Sequence, residues 1–150
     1  MRKISVLVLL LLIACNQNIV VDELDKSLTN NRWQQADDKV FEFAIEQEGE
    51  YQLELHLAHI YDFQFEQVPV EVYLLKEEQI LLGEELVVSF KDDDGKELGE
   101  CVGDICDLYI PVSSKIKLSE GEYRVVVQNG FKGTYLPNML GVGIRLKKTP

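Results

Sequence analysis

Apolar residues recur at every second position through most of the chain, and this period decides what it can fold into. In "KVFEFAIE", Phe41, Phe43 and Ile45 alternate with Glu42, Ala44 and Glu46; in "YQLELHLA", Tyr51, Leu53, Leu55 and Leu57 alternate with Gln52, Glu54, His56 and Ala58. Successive side chains of an extended strand point to opposite faces, so each segment reads as a strand with one face in a core. The turn "QEGEY" between them predicts antiparallel pairing of the two across Glu48-Gly49. Val68, Val70, Val72 and Leu74 form a third apolar face, and Pro69, lacking a backbone donor, belongs near a strand start or at an edge. A strand over residues 86–90 leads to the turn signal Asp94-Gly95. The series continues with Leu108, Ile110 and Val112, then Ile116 and Leu118, then Tyr123, Val125 and Val127, and ends with Leu140, Val142, Ile144 and Leu146. No segment carries the three-and-four spacing of an amphipathic helix. About seven to nine short strands divided by Gly- and Asp-rich turns predict an all-β fold, a two-sheet antiparallel β-sandwich that is jelly-roll-like or immunoglobulin-like, with a closed barrel as the alternative.

The first residues follow a different grammar. Met1, Arg2 and Lys3 precede an apolar run from Ile4 to Ile13, then the small Ala14 and Cys15. This is the pattern of a secretory signal peptide. The run is also shorter than the roughly 20 apolar residues a membrane-crossing helix needs. Leu12-Ile13-Ala14-Cys15 resembles the bacterial lipobox, in which cleavage precedes a cysteine whose thiol takes a diacylglycerol. Since each buried methylene contributes about 0.8 kcal/mol, several acyl chains hold a domain firmly at a membrane. The expected organisation is a signal peptide over 1–14, a lipidated tether over 15–32, with a short first strand at the aliphatic patch Ile19-Val20-Val21 as the alternative within it, and the β-sandwich domain over 33–150.

The chain has 15 Lys and Arg against 26 Asp and Glu, a formal net charge of -11 that becomes more negative once Arg2 and Lys3 are removed. That sign disfavours nucleic acid as a partner. In an exported chain Cys101 and Cys106, separated by Val102-Gly103-Asp104-Ile105, are candidates for a disulfide, with two free thiols as the rival reading. No metal site is expected. His56 and His59 face opposite ways on one strand, and the two cysteines lack the spacing and the second ligand pair of common zinc sites. The acidic stretch "KDDDG" lacks the ligand spacing of a calcium loop and reads as a solvated hairpin tip. The serines have no nucleophile-elbow glycines, and the glutamate cluster at 46–54 follows from composition, so no catalytic residue and no cofactor is expected. One long connection, residues 128–141, carries Phe131, Tyr135, Leu136 and Met139 and is the preferred contact loop; the alternative is an excursion tucked over an open end of the sandwich.

The order of these segments resembles the gliding motility-associated lipoprotein GldH family of the Bacteroidota. The likeness runs through the lipobox, Trp33 and the phenylalanine strand, "YQLELHL", "DDDGKELGE", "LSEGEYRVVVQ" and the closing "LGVGIRLKK". The chain departs from the family pattern at His56-Leu57-Ala58-His59, where members usually carry an arginine, at Tyr61-Asp62-Phe63 and at Asn129-Gly130. The resemblance implies a non-catalytic accessory lipoprotein of the cell envelope, held to the outer membrane by its lipid, with partners among the envelope proteins of gliding motility and its associated secretion machinery. A carbohydrate- or peptide-binding envelope lipoprotein is the alternative. Replacing Cys15 by serine is expected to move the protein out of the membrane fraction or leave its precursor uncut; fractionation with intact-mass measurement checks both.

Overall fold

The computed structural model describes residues 18–150, so the signal segment and Cys15 lie outside the described residues. Twelve strands are described: β1 (Ile19–Asp25), β2 (Arg32–Gln34), β3 (Lys39–Ile45), β4 (Gly49–Ile60), β5 (Gln67–Lys76), β6 (Gln79–Ser89), β7 (Glu100–Val102), β8 (Ile105–Pro111), β9 (Ile116–Leu118), β10 (Gly121–Asn129), β11 (Tyr135–Pro137) and β12 (Met139–Lys148). The single helical element among the described residues is a 3-10 turn at Thr29–Asn31. The larger sheet runs β1-β12-β4-β8-β7, with β9 beside the start of β4; the smaller runs β3-β10-β5-β6; β2 and β11 form a third, two-stranded piece. The fold is an all-β antiparallel sandwich, as the alternation predicts.

Its core lies between the sheets. Leu55 of β4 stands opposite Ile144 of β12, and Leu53 opposite Leu146; these four side chains are fully buried. They face Phe41, Phe43 and Ile45 of β3, Val125 and Val127 of β10 and Val70, Val72 and Leu74 of β5, all buried in one hydrophobic cluster. Each such side chain contributes on the order of 2 kcal/mol through loss of apolar surface from water. Lys39 closes one side of the sandwich. It is buried at the start of β3 and bridges Asp25 at the end of β1 (3.1 Å) and Asp37 (2.7 Å).

Four sequence expectations change. The hairpin of β3 with β4 does not form: β3 pairs with β10 and β4 with β12, β8 and β9. Both strands have a strong apolar face, and these faces oppose each other across the core, so the chain crosses from one sheet to the other at residues 46–48. The tether expected over 15–32 gives way from Ile19 onward, because β1 pairs along β12 and Leu28 packs into the core. As an edge strand β1 carries Asp22, Glu23 and Asp25 and buries only Val21 fully, which is why it reads as a polar leader. Strand β6 begins at Gln79, well before residue 86, since an edge strand exposed along most of its length has no alternation to read. Pro69 sits near the start of β5, which is an interior strand. It is tolerated there because the β10 strand ends at Asn129 opposite Val70, and beyond it the Gly130 amide donates to the Pro69 carbonyl (3.0 Å), a contact that needs no donor from the proline.

The connection over 128–141 is the fourth correction. It is an ordered cap: β11 within it pairs with β2, placing Leu136 opposite Trp33. Leu136, Met139 and Trp33 have no exposed surface. Trp33 Nε1–H donates to the Asp37 carbonyl (2.8 Å), Asn129 Nδ2–H donates to the Trp33 carbonyl (2.9 Å), and Asn129 Oδ1 accepts the Phe131 amide (2.9 Å). Buried polar groups of the cap are thus paired. Leu136→Ala is expected to cost about 2–5 kcal/mol through lost burial and a residual cavity, read as a fall in the urea midpoint.

Candidate functional site

The registers place side chains on the larger sheet row by row. On the face turned away from the core, Ile60 of β4 stands beside Ile105 of β8, and Ile105 beside Val102 of β7. This apolar row lies at the far end of β4 and is open: Val102 is 86% exposed and Ile105 52%. Tyr61, also exposed, follows directly, and its amide donates to the Asp104 carbonyl at the hairpin tip (2.8 Å). Gly103 holds the first central position of that tip with φ +61, the left-handed conformation a two-residue turn of this kind needs. Acidic groups flank the row: Asp104 and Glu100 are exposed, and Asp62, also exposed, is ion-paired with Lys91. An apolar centre with a charged rim is the anatomy of a protein contact.

Behind the row, the same outer face carries a polar network. His56 stacks on Tyr109 (centroids 4.2 Å), and its Nε2–H donates to Asp107 Oδ1 at 2.7 Å. The Arg145 guanidinium lies 3.8 Å over the Tyr109 ring and pairs with Asp22 at 3.2 Å. Lys147 donates to Glu54 Oε1 at 2.6 Å. Burial pushes the Tyr109 phenol above its ordinary range; Arg145 opposes this, and Asp22, Asp107 and Glu54 add to it. The β1 backbone can come close on this side because Gly143 of β12 has no side chain: a Cβ there would stand 2.1 Å from the Glu23 carbonyl oxygen of β1. His56 and Glu54 are buried in this network, although the alternation assigns them to a solvent face. The arrangement is cross-linked and flat, a rigid support for the row beside it.

Cys101 and Cys106 stand directly opposite each other on β7 and β8, their sulfurs at 2.00 Å and their Cα atoms at 4.0 Å. Cys106 faces the core and is fully buried. Of the four residues expected in the contact loop, Leu136 and Met139 are core, and Phe131 and Tyr135 are half-buried. Phe131 packs on Phe65 (4.8 Å) and Tyr135 lies under the Arg32 guanidinium (4.5 Å). No broad aromatic platform forms at Tyr61, Phe63 and Phe65 either, because Phe63 is buried against Phe90. The sequence pointed to this loop by its length and aromatics and passed over residues 102–105, whose four-residue gap gave no sign that its apolar members stay outside. In the acidic hairpin, Asp92 Oδ1 accepts the amides of Asp94 and Lys96 (both 2.9 Å), so this carboxylate shapes the turn.

The sequence model of the GldH lipoprotein matches residues 20–146. The chain belongs to the GldH lipoprotein family. Membership makes it a non-catalytic, membrane-anchored accessory lipoprotein of the cell envelope. No helix among the described residues is long and apolar enough to cross a membrane. No curated protein matches the chain. Among solved structures, a chain of dimeric latent PorU from Porphyromonas gingivalis is 11% identical, with a TM-score of 0.34 over 87% of this chain and 13% of that one. The present chain therefore spans about an eighth of that protein's length, and so loose a likeness supports no inference about fold or role.

Alkylation of the unreduced protein is expected to leave Cys101 and Cys106 unlabelled and joined in one peptide pair by mass spectrometry. Free thiols at both positions are the opposite outcome.

Proposed function

We propose that this lipoprotein is held to the outer membrane through Cys15 and works by contact, offering the outer distal row Ile60, Ile105 and Val102, with Tyr61, to a protein partner of the gliding and secretion machinery. The observation that carries the reading is where this exposed apolar row stands relative to the chain's point of attachment. Ile19 of β1 meets Lys147 of β12, which meets Gln52 of β4. Ile60 lies eight residues further along β4, roughly 25 Å away at the rise of an extended strand. The three residue steps from Cys15 to Asn18 span at most about 10 Å, so the lipid keeps the body close to the bilayer surface with this row at the opposite end.

The acidic rim of Asp104 and Glu100 fits a partner whose rim is basic, and such charges steer encounter more than they add affinity. The family's link to gliding motility and secretion supplies the class of partner. A saccharide-binding reading loses its main support with the burial of Phe63, since Tyr61 alone is no stacking platform.

Val102→Ser with Ile105→Ser is expected to weaken recovery of the envelope partner in a quantitative pull-down at least fivefold, with the thermal transition shifted by only a few degrees. Phe131→Ala with Tyr135→Ala is expected to do the reverse, lowering the transition through lost packing while the folded fraction keeps its partner. Equal recovery by the serine variant and the wild type would remove the distal row from the reading.

A further inference from the structure

On the core side of the same end, a second row crosses the larger sheet. His59 of β4 stands opposite Cys106 of β8, and Cys106 opposite Cys101 of β7. His59 has no exposed surface and sits against the edges of Phe63 (5.4 Å) and Phe90 (4.9 Å). Its Nδ1 lies 2.9 Å from the Ile60 carbonyl, which can only accept, so in the neutral ring Nδ1 carries the proton and Nε2 offers a lone pair. That Nε2 is buried and has no hydrogen-bond partner among the described residues. Glu97, from the segment between β6 and β7, accepts the Asp62 amide through Oε1 at 2.8 Å, while its Oε2 is likewise buried and unpartnered. Two buried acceptors with no donor between them are a costly arrangement that an electropositive centre relieves. One ligand atom each from His59, Glu97 and Cys106 lie within 4.8 Å of one another, with the Cys101 sulfur beside them.

We propose that, when the Cys101–Cys106 pair is reduced, this row and Glu97 bind one Zn(II) through His59 Nε2, a Glu97 carboxylate oxygen and the two cysteine thiolates. One imidazole, one carboxylate and two thiolates make a closed tetrahedral set suited to zinc, and the apolar wall of Phe63 and Phe90 keeps water from a fifth position. The disulfide-bonded form lacks the thiolates and does not bind. Conversion takes two electrons from a protein dithiol: its thiolate attacks one sulfur, the Cys101–Cys106 bond breaks, the donor leaves as a disulfide, and both released sulfurs are protonated. Zinc then displaces those two protons. Sulfurs on a common zinc stand about 3.8 Å apart with bonds of about 2.3 Å, a separation neighbouring strands reach once the covalent link is gone. Strands β7 and β8 are thereby joined to each other in either redox state, by the covalent bond in the oxidised form or by a metal that also takes in β4 and Glu97 in the reduced form. His59 and Glu97 supply the second ligand pair that the cysteine spacing alone does not reveal.

The test uses the full-length lipoprotein in detergent, reduced with a phosphine that is then removed anaerobically, and titrated with Co(II) followed by Zn(II). The reduced protein is expected to take up one equivalent of Co(II), with thiolate-to-cobalt absorption in the near ultraviolet and the strong visible bands of a tetrahedral ion, both erased by one equivalent of Zn(II). The oxidised protein should give neither. Glu97→Gln should weaken Zn(II) binding roughly tenfold or more, Cys101→Ser with Cys106→Ser should abolish it, and X-ray absorption should count two sulfur ligands. His59→Gln is expected to act like Glu97→Gln; should that core variant not fold, Glu97→Gln carries the test alone. A reduced wild type without stoichiometric metal overturns the proposal, as does binding that Glu97→Gln leaves unchanged. Partner recovery is not a readout here, so the contact reading stands or falls separately.

Discussion

Strand β4 is buried on both faces, and the remaining structure is arranged around that constraint. Its inner side chains, Tyr51, Leu53, Leu55 and Leu57, meet β12 side chains and the smaller sheet in the core. Its outer side chains Glu54, His56 and Ala58 are also removed from water, and two of them are polar. A buried polar group is tolerated where it is paired. This requirement explains the company they keep: Lys147 on Glu54, Asp107 on His56, and the Tyr109 ring with Arg145 stacked over it. Without the glycines at 141 and 143, which leave room for β1 and Leu24, the outer layer could not close down on the sheet.

A strand fixed on both sides makes a stiff rod, and the proposed attachment and contact lie at its two ends. Near one end lies the start of β1, from which the chain leads back to Cys15. At the other end the covering stops: Ile60, Ile105 and Val102 continue the outer face with apolar side chains and nothing among the described residues lies over the last two. In the proposed contact role, rigidity between anchor and contact serves better than a flexible arm. The shift of the structured body to Ile19 points the same way, since it removes most of the slack a long tether would have given.

The inner and outer rows at the distal end share their backbone. His59 and Ile60 are adjacent on β4, as are Ile105 and Cys106 on β8, so whatever fastens the cysteines also sets the position of the apolar row. Removal of a covalent link restores chain freedom mainly to the unfolded or locally opened hairpin. Strand β8 stays paired with β4 along its length whether or not the cysteines are joined, whereas β7 pairs only with β8 in the sheet, so β7 is the strand the link chiefly restrains.

The sequence by itself determined the class of fold, because a period of two is a property of neighbouring residues and survives whatever partner a strand takes. It also determined the family, through the order of segments from Trp33 to the closing "LGVGIRLKK". It did not determine pairing. Strands β3 and β4 have equivalent apolar faces, and only packing across the core decides that they belong to different sheets. Edge strands β1 and β6 were illegible in part for a related reason: one exposed along much of its length has no hydrophobic alternation to display. Leu136 and Met139 looked like loop residues until β2 gave β11 a partner. His59, Glu97 and the two cysteines come together from distant positions in the chain, and no local spacing encodes a neighbourhood that exists only after β4, β8 and β7 lie side by side.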